Sequence, residues 1–304
     1  MKITTKELKG SFAVAFTPFR EDGEIDYPTF ERQIENLSHV ADGIVLYGMT
    51  SEYHKTTDAE KEKLTDIFLR VLKDSPCISV LSVTDWSTEV AVKRAKRNEE
   101  LGVDALMLMP PFYYNPHVDE IRHHMKSVLE AVEIPVLLQY APLATKMYLP
   151  PEELVAMSQQ YPNAAFKIEY RPAVEFMKQF FDLKPDMPIM TGWAGLDIVD
   201  LYQMGVAGLI TVGGFTEVYS AIFRCLRAGD IEGARAIYDK LEKYISVWMA
   251  SPESLLAIEK EIMARRGLFP SSYCRRPAYH LTKEDHEAVD RFLDEFADYL
   301  SPRG

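Results

Sequence analysis

Three kinds of feature are scarce or missing in this chain, and each narrows what it can encode. Only three cysteines occur, Cys77, Cys225 and Cys274, and they lie too far apart for a Cys-x-x-Cys or Cys/His metal site. Such a sparse set indicates a reducing compartment, so we expect a cytoplasmic protein without structural zinc. No apolar run is long enough to cross a bilayer. Residues 1–9 are polar and charged, so no secretory signal is expected.

Positive charge is also in short supply. The 34 Lys and Arg residues face 46 Asp and Glu residues, which gives a net charge of −12. A surface of that sign repels phosphate backbones and anionic lipids, so neither a nucleic acid nor a membrane is expected as a partner. Hydrophobic residues make up 47% of the 304 positions, enough for a large core in one or two domains.

Short apolar runs alternate with amphipathic segments along most of the chain. They predict eight strands, each followed by a helix, at residues 11–17, 43–48, 77–83, 104–109, 135–140, 163–170, 188–192 and 208–213. The repeat predicts an α/β fold, a (β/α)8 TIM barrel over residues 1–228, and residues 229–304 read as a C-terminal helical appendage. An open doubly wound sheet competes, but no glycine-rich turn follows the first run, where Thr17-Pro-Phe19 stands.

One lysine stands in the middle of a predicted buried strand. Lys167 lies between Phe166 and Ile168, and Pro162 and Pro172 bracket the run. Burial disfavours an ammonium ion, and a neutral amine is the group that attacks a ketone to form a Schiff base. A buried ion pair, or a lysine that reaches out of the strand end, explains the same pattern without catalysis.

The chemistry of a TIM barrel is built where the strands end and in the loops that follow. Alternation places Lys167 and Glu169 on one face. Tyr140, on the neighbouring strand, is expected within hydrogen-bond reach of the Lys167 amine, where an iminium would lower the pKa of a phenol and make it a general acid/base. Thr50 and Ser51 are expected to offer backbone N–H groups to a substrate carboxylate. Each of these residues, considered by itself, is also explained by core packing or by turn formation.

Several segments recur, in order, at the spacing of a known enzyme family. They are Phe16-Thr-Pro-Phe19, Gly48-Met-Thr-Ser-Glu52, Gly102-Val-Asp-Ala105, Pro110-Pro-Phe-Tyr-Tyr-Asn-Pro116, Tyr140-Ala-Pro142 and Phe166-Lys-Ile-Glu169. Together they resemble the dihydrodipicolinate synthase/N-acetylneuraminate lyase superfamily of Schiff-base aldolases and dehydratases.

The resemblance implies roles for particular residues. Lys167 would form the Schiff base with a 2-oxo acid, and Tyr140 would be the general acid/base. Thr50 and Ser51 would hold the substrate carboxylate, and Tyr113 would complete a tyrosine relay by reaching into a neighbouring subunit. The resemblance further implies a homo-oligomer, a tetramer built as a dimer of dimers, that needs no cofactor and no metal.

Three departures from the family pattern are visible. Met49 stands where the relay has its middle hydroxyl, and Ser51 replaces the glycine before Glu52. The segment after Tyr140 lacks the arginine with which the synthases hold a second carboxylate, which weighs against lysine biosynthesis. The segments around Tyr140 and Lys167 are more similar to the sugar-acid dehydratase branch, such as the 2-keto-3-deoxy-arabonate dehydratases.

The sequence therefore predicts a lyase that acts on a small 2-oxo acid through an iminium at Lys167. The reaction is either aldol cleavage or condensation, or dehydration of a 2-keto-3-deoxy sugar acid. Met49, Glu169, Gly192 and Gly213 are predicted to line the substrate site, with Glu169 tuning the lysine rather than moving protons. Two alternatives stay open: a non-catalytic 2-oxo-acid binder that has lost the relay, and a metal-dependent aldolase barrel, which the missing His/carboxylate cluster disfavours.

Overall fold

The computed structural model describes residues 3–300. Its eight short strands are largely buried: β1 Gly10–Val14, β2 Gly43–Leu46, β3 Ile78–Ser82, β4 Ala105–Leu108, β5 Val136–Tyr140, β6 Ala164–Ile168, β7 Ile189–Thr191 and β8 Gly208–Val212. They pair in chain order and close into a parallel barrel. The predicted (β/α)8 TIM barrel is confirmed.

Helices follow the strands and continue after the last one. They are α1 Tyr27–Ser38, α2 Asp58–Leu72, α3 Thr88–Glu100, α4 Val118–Ala131, α5 Pro142–Thr145, α6 Pro151–Gln160, α7 Ala173–Leu183, α8 Ile198–Met204, α9 Thr216–Arg227, α10 Ile231–Trp248, α11 Pro252–Arg265 and α12 Lys283–Glu295. The single-turn helix α5 was not predicted. Within residues 3–300, no helix is both long and apolar enough to span a bilayer.

Capping residues in the sequence set where several helices begin. Asp26 accepts a hydrogen bond from the Thr29 N–H and starts α1. Thr57 and Glu60 form a reciprocal capping box at the start of α2, so two otherwise unpaired N–H groups are satisfied. The α2 cap fixes where the loop after β2 ends, and that loop carries several of the predicted site residues.

The chain divides into two compact units. One combines the start of the chain, through Gly10, with Ile78–Ile210, and its core is centred on strands β3 to β7. The other combines Ser11–Cys77 with the chain from Thr211 onward, and it contains an aromatic cluster. The cluster consists of Phe215, Tyr244, Trp248, Phe292 and Phe296, with 4.8 Å between the ring centroids of Phe292 and Phe296. The domain boundary predicted at residue 228 stays a prediction.

Candidate active site

Strand register places Lys167 in a row of three side chains. Lys167 of β6 lies opposite Gln139 of β5 and Met190 of β7. Residues paired across parallel strands point to the same face of the sheet. Only 5% of Lys167 is exposed, so its amine is held away from bulk solvent.

Packing against the helices shows which face this is. The Tyr140 ring of β5 stacks on Phe176 of α7, and its hydroxyl donates to the Leu149 carbonyl just before α6. Tyr140 therefore faces the surrounding helices. Because successive strand residues alternate, Gln139 and its partner Lys167 face the barrel interior. The inward orientation predicted for Lys167 agrees with this register.

Glu169 lies beside the lysine and is held by two further groups. Its Oε1 is 3.5 Å from the Lys167 Nζ and accepts a hydrogen bond of 3.2 Å from the Trp193 N–H. Its Oε2 accepts a hydrogen bond of 2.6 Å from the Gln139 amide. The carboxylate is thus fixed in place, with one oxygen directed toward the amine. This arrangement allows Glu169 to take a proton from the lysine or to return one to it.

Gly192 makes room for that carboxylate. A Cβ added at Gly192 would lie 2.0 Å from the Glu169 Oε1, closer than any real contact. The turn that follows β7 can therefore reach Glu169 with the Trp193 N–H only because residue 192 has no side chain. Gly192 was predicted to line the site, and the structure brings it to Glu169.

Tyr140 does not lie where the sequence argument put it. It pairs with Ile168 rather than Lys167, so it belongs to the helix-facing side of β5. Its hydroxyl donates to the Leu149 carbonyl at 2.9 Å, and its ring stacks on Phe176. Burial raises the pKa of the Tyr140 phenol. The expected reach from Tyr140 to the Lys167 amine is wrong, because the inward residue is Gln139.

Tyr113 follows β4 and is largely exposed. Its ring lies 4.6 Å from that of Tyr114 and 5.9 Å from that of Trp86, which also contacts Phe112. Tyr113 is 62% exposed and Tyr114 is 89% exposed. The structure thus places Tyr113 in an exposed aromatic cluster of Trp86, Phe112, Tyr113 and Tyr114. Its predicted role in a relay stays a prediction.

The predicted carboxylate-binding residues form a tight turn after β2. Met49–Ser51 is a single turn of 3-10 helix, and Glu52 follows it with a left-handed backbone, φ 61°. The Ser51 hydroxyl donates to the Gly48 carbonyl at 2.7 Å, and the Thr17 hydroxyl donates to the Ser51 carbonyl at 2.8 Å. Ser51 is therefore committed to holding the turn. Met49 and Thr50 are half-buried.

Gly213 lies at the end of β8, where backbone passes close by. A Cβ there would lie 3.1 Å from the Val14 carbonyl oxygen, so a larger residue would crowd β1. The next residue, Gly214, donates its N–H to the Glu259 Oε2 at 2.8 Å. Burial raises the pKa of the Glu259 carboxyl well above its ordinary value of 4.5. The substrate-binding role predicted for Gly213 stays a prediction.

Sequence reasoning missed two side-chain contacts, one in each compact unit. Gln139 directly precedes Tyr140, and only strand register distinguishes the two. Lys260, 208 positions after Glu52, donates to the Glu52 carboxylate, and no local pattern signals so distant a pair. Within residues 3–300, no group of three or more His, Cys, Asp or Glu side chains is arranged to hold a metal ion.

Comparison with known proteins agrees with this fold. The model of the dihydrodipicolinate synthetase family matches residues 7–296. The chain is 27% identical over 294 residues to a 4-hydroxy-tetrahydrodipicolinate synthase of Persephonella marina, covering 95% of this chain and 98% of the relative. It is also 27% identical over 302 residues to an L-2-keto-3-deoxyarabonate dehydratase of Azospirillum brasilense, covering 96% of each protein.

Solved structures support the same architecture. A dihydrodipicolinate synthase of Rhodopseudomonas palustris superposes with a TM-score of 0.86 at 24% identity, covering 97% of this chain and 99% of the other. An N-acetylneuraminate lyase of Mycoplasma synoviae superposes with a TM-score of 0.80 at 21% identity, covering 96% and 99%. The family match spans nearly the whole chain. This protein belongs to the dihydrodipicolinate synthetase family and is a lyase of its Schiff-base aldolase and dehydratase class.

Proposed function

We propose that this lyase dehydrates a small 2-oxo acid of the 2-keto-3-deoxy sugar-acid type through an iminium at Lys167. The observation that carries the proposal is the Glu169 carboxylate, fixed by Gln139 and Trp193 beside the Lys167 amine. An inward lysine with one carboxylate supplies both a nucleophile and a proton carrier. The similarity to the L-2-keto-3-deoxyarabonate dehydratase, which covers 96% of both chains, supports a 2-keto-3-deoxy sugar acid as substrate.

The first half of the reaction forms the Schiff base. The Lys167 ammonium passes a proton to Glu169 across their 3.5 Å separation, and the neutral amine attacks the C2 carbonyl of the substrate. Water leaves from the carbinolamine as the iminium forms, with Glu169 returning the proton to that oxygen. Thr50 and Ser51 are proposed to bind the C1 carboxylate through the Met49–Ser51 turn.

The second half moves one proton and expels one hydroxyl group. Glu169 removes a proton from C3, and the electron pair of that C–H bond forms the enamine. The enamine then expels the C4 hydroxyl group, which takes the proton from Glu169 and departs as water. The remaining conjugated iminium is hydrolysed by a water molecule, which releases the product and the Lys167 amine. Aldol cleavage would instead break the C3–C4 bond and take a proton from the C4 hydroxyl.

The assignment of proton transfer to Glu169 goes beyond the lysine-tuning role predicted from the sequence. Gln139, which faces inward opposite Lys167, is an amide and does not titrate in the physiological range. Tyr140 points toward the helices and is bonded to the Leu149 carbonyl. Among Gln139, Tyr140, Lys167 and Glu169, the carboxylate is therefore the group suited to accept a proton from the substrate.

Product analysis tests the reaction. Purified protein is incubated with a panel of 2-keto-3-deoxy sugar acids and the products are measured by mass spectrometry, with Lys167→Ala as the control. Dehydration gives a product lighter than the substrate by one water. Release of pyruvate with an aldehyde would establish aldol cleavage instead and overturn the dehydratase assignment.

A non-catalytic 2-oxo-acid binder is the second candidate, and Met49 in place of the relay hydroxyl favours it. The half-buried side chain lies on the turn proposed to bind the substrate carboxylate. Replacement of Met49 by threonine distinguishes the two functions. Aldolase activity that appears only in Met49→Thr would favour the binder, whereas turnover by the wild type would exclude it.

We further propose that the protein assembles as a homotetramer, a dimer of dimers, in the cytoplasm. The exposed aromatic cluster of Trp86, Phe112, Tyr113 and Tyr114 offers a surface that a second copy can cover. Cys77, Cys225 and Cys274 are not joined in disulfides, as suits a reducing compartment. Sedimentation tests the assembly: Tyr113→Ala should lower the assembly state, and a wild type that sediments as a monomer would contradict it.

A further inference from the structure

The turn proposed to bind the substrate carboxylate ends at a strained and buried acidic residue. Glu52 has a left-handed backbone, φ 61° and ψ 20°, although it is not a glycine. Its side chain has no exposure to solvent. Such a conformation persists where surrounding structure holds it, and such strain is concentrated at functional sites. A buried carboxylate also needs cationic partners to offset the loss of solvation.

Two lysines supply those partners. The Lys260 Nζ, on α11, donates to the Glu52 Oε2 and also to the Tyr273 carbonyl at 3.1 Å. The Lys55 Nζ lies 3.3 Å from the other carboxylate oxygen, Oε1. Lys260 is as fully buried as Glu52, and its Nζ lies 4.7 Å from the centre of the Phe19 ring. Each oxygen of the Glu52 carboxylate therefore contacts one lysine amine.

The C-terminal segment around Tyr273 is fastened to the same loop by further contacts. The Lys55 Nζ donates to the Pro277 carbonyl at 2.7 Å. Arg275 donates in return to the Lys55 carbonyl at 2.8 Å and to the Gly23 carbonyl at 2.8 Å. It also pairs with Glu60 in the first turn of α2. The loop after β2 is thus held by a part of the chain more than two hundred positions away.

Within the turn itself, Ser51 leaves little freedom. Its N–H and its hydroxyl both donate to the Gly48 carbonyl, at 2.9 Å and 2.7 Å. Its carbonyl accepts from the Thr17 hydroxyl. With Ser51 fixed on one side, the backbone of Glu52 determines where the turn ends. The Lys260 and Lys55 amines bind the Glu52 side chain, and the Lys55 N–H donates to its carbonyl at 2.8 Å.

We propose that Lys260 is a positioning residue for substrate recognition: by holding Glu52, it sets the Met49–Ser51 turn in the geometry that binds the carboxylate of a 2-oxo acid. The inference rests on the proposed function, since it takes this turn as the carboxylate site. It assigns to α11, outside the barrel strands, a share in selecting substrates that carry a carboxylate next to the ketone.

A purely structural role for Lys260 would lower stability without changing that selectivity. Two ketones distinguish the roles: pyruvate, and methyl pyruvate, which keeps the ketone but lacks the charged carboxylate. Each is titrated against wild type and Lys260→Met, trapped on the protein with borohydride and measured by intact mass. In Lys260→Met, the half-saturating concentration of pyruvate should rise about tenfold or more, the effect of losing a hydrogen bond to a charged group. That of methyl pyruvate should change less than about twofold.

A matched control separates selectivity from loss of stability. Leu241→Ala removes a fully buried side chain of α10 and destabilises the same unit without touching the ion pair. In this variant, the half-saturating concentrations of pyruvate and methyl pyruvate should change by the same factor. If Lys260→Met does not fold, Glu52→Gln is used instead, because it keeps the shape of the side chain but removes its charge. It should also raise the half-saturating concentration of pyruvate.

The outcomes are distinct. Weaker binding of pyruvate alone supports the proposal. Equal weakening of both ketones, or no weakening, in Lys260→Met or Glu52→Gln overturns it while the Schiff-base function stands. A wild type that traps neither ketone nor any longer 2-oxo acid overturns the proposed function, and this inference with it.

Discussion

The side-chain amide of Gln139 donates a hydrogen bond of 2.6 Å to the carboxylate of Glu169. Gln139 is also the residue directly opposite Lys167 on the neighbouring strand. The inward position next to the lysine is therefore occupied by an amide that orients a carboxylate, where the family resemblance implied a tyrosine. Because of this contact, we expect Glu169 rather than a tyrosine phenol to transfer the proton.

Paired substitutions at Gln139 and Tyr140 test that assignment. Gln139→Leu removes a hydrogen bond to the Glu169 carboxylate, and we expect kcat to fall about tenfold or more. Tyr140→Phe removes only the hydrogen bonds of the hydroxyl with the Leu149 carbonyl and N–H, so kcat should stay within about twofold and stability should fall by about 1 kcal/mol. Steady-state kinetics and denaturant unfolding measure both effects. A larger loss of kcat in Tyr140→Phe than in Gln139→Leu would restore the tyrosine as the general acid/base.

Glu169→Gln tests the proton carrier itself. The amide keeps the size of the side chain but accepts no proton, so kcat should fall by about 10²-fold or more. The Schiff base at Lys167 should still form and be trapped by borohydride, although more slowly. Glu175→Gln, an exposed substitution on α7, is the matched control and should leave kcat unchanged. If turnover in Glu169→Gln equals that of wild type, Glu169 only packs against the lysine.

Gly192→Ala tests the fit between the β7 turn and Glu169. The new methyl group would meet the Glu169 Oε1 at 2.0 Å, so either the carboxylate or the turn must shift. We expect kcat to fall about tenfold or more, since small displacements of a catalytic group are costly. A crystal structure of the variant should show a longer distance from Glu169 to Lys167 or to Trp193. An unchanged rate with a displaced carboxylate would argue against the proton-transfer role.

Glu259 gives a prediction about pH and stability. Burial raises its pKa well above 4.5, so the folded chain keeps its proton while the unfolded chain loses it above that pH. Stability is unaffected below pH 4.5 and falls as the pH rises above it. Glu259→Gln keeps an acceptor for the Gly214 N–H without the ionisable group. It should be more stable than wild type at pH 7 and equal to it at pH 4.

Urea unfolding of both proteins across that pH range measures the difference. Glu284→Gln, at the start of α12 and exposed, is the control and should show no such pH trend. A difference between Glu259→Gln and wild type that stays constant with pH would contradict a neutral Glu259 in the folded state.

The architecture could be predicted from the sequence because the information is local. Most strands are short apolar runs flanked by Gly or Pro residues, and several helices carry their own cap, as Thr57 and Glu60 show for α2. The shared face of Lys167 and Glu169 also follows from alternation within one strand. Observed strands are shorter than predicted by one to three residues at most ends, because ladder pairing stops before the turn residues.

The misplacement of Tyr140 has a non-local cause. Alternation relates residues within a strand, whereas the facing residue on the next strand depends on register, and a shift of one residue reverses the face. Register in this barrel is set by how all neighbouring strands pack, which one strand's sequence does not encode. The Glu52–Lys260 pair was missed for a similar reason, since it joins residues 208 positions apart.

The central claim, a Schiff base at Lys167, has a direct test. The protein is incubated with pyruvate and with a 2-keto-3-deoxy sugar acid, reduced with borohydride, and examined by intact mass and peptide mapping. We predict a reduced adduct on Lys167 in the wild type and in the exposed-lysine control Lys178→Ala, and none in Lys167→Ala. An adduct that persists in Lys167→Ala, or no adduct with any 2-oxo acid in the wild type, would contradict the account.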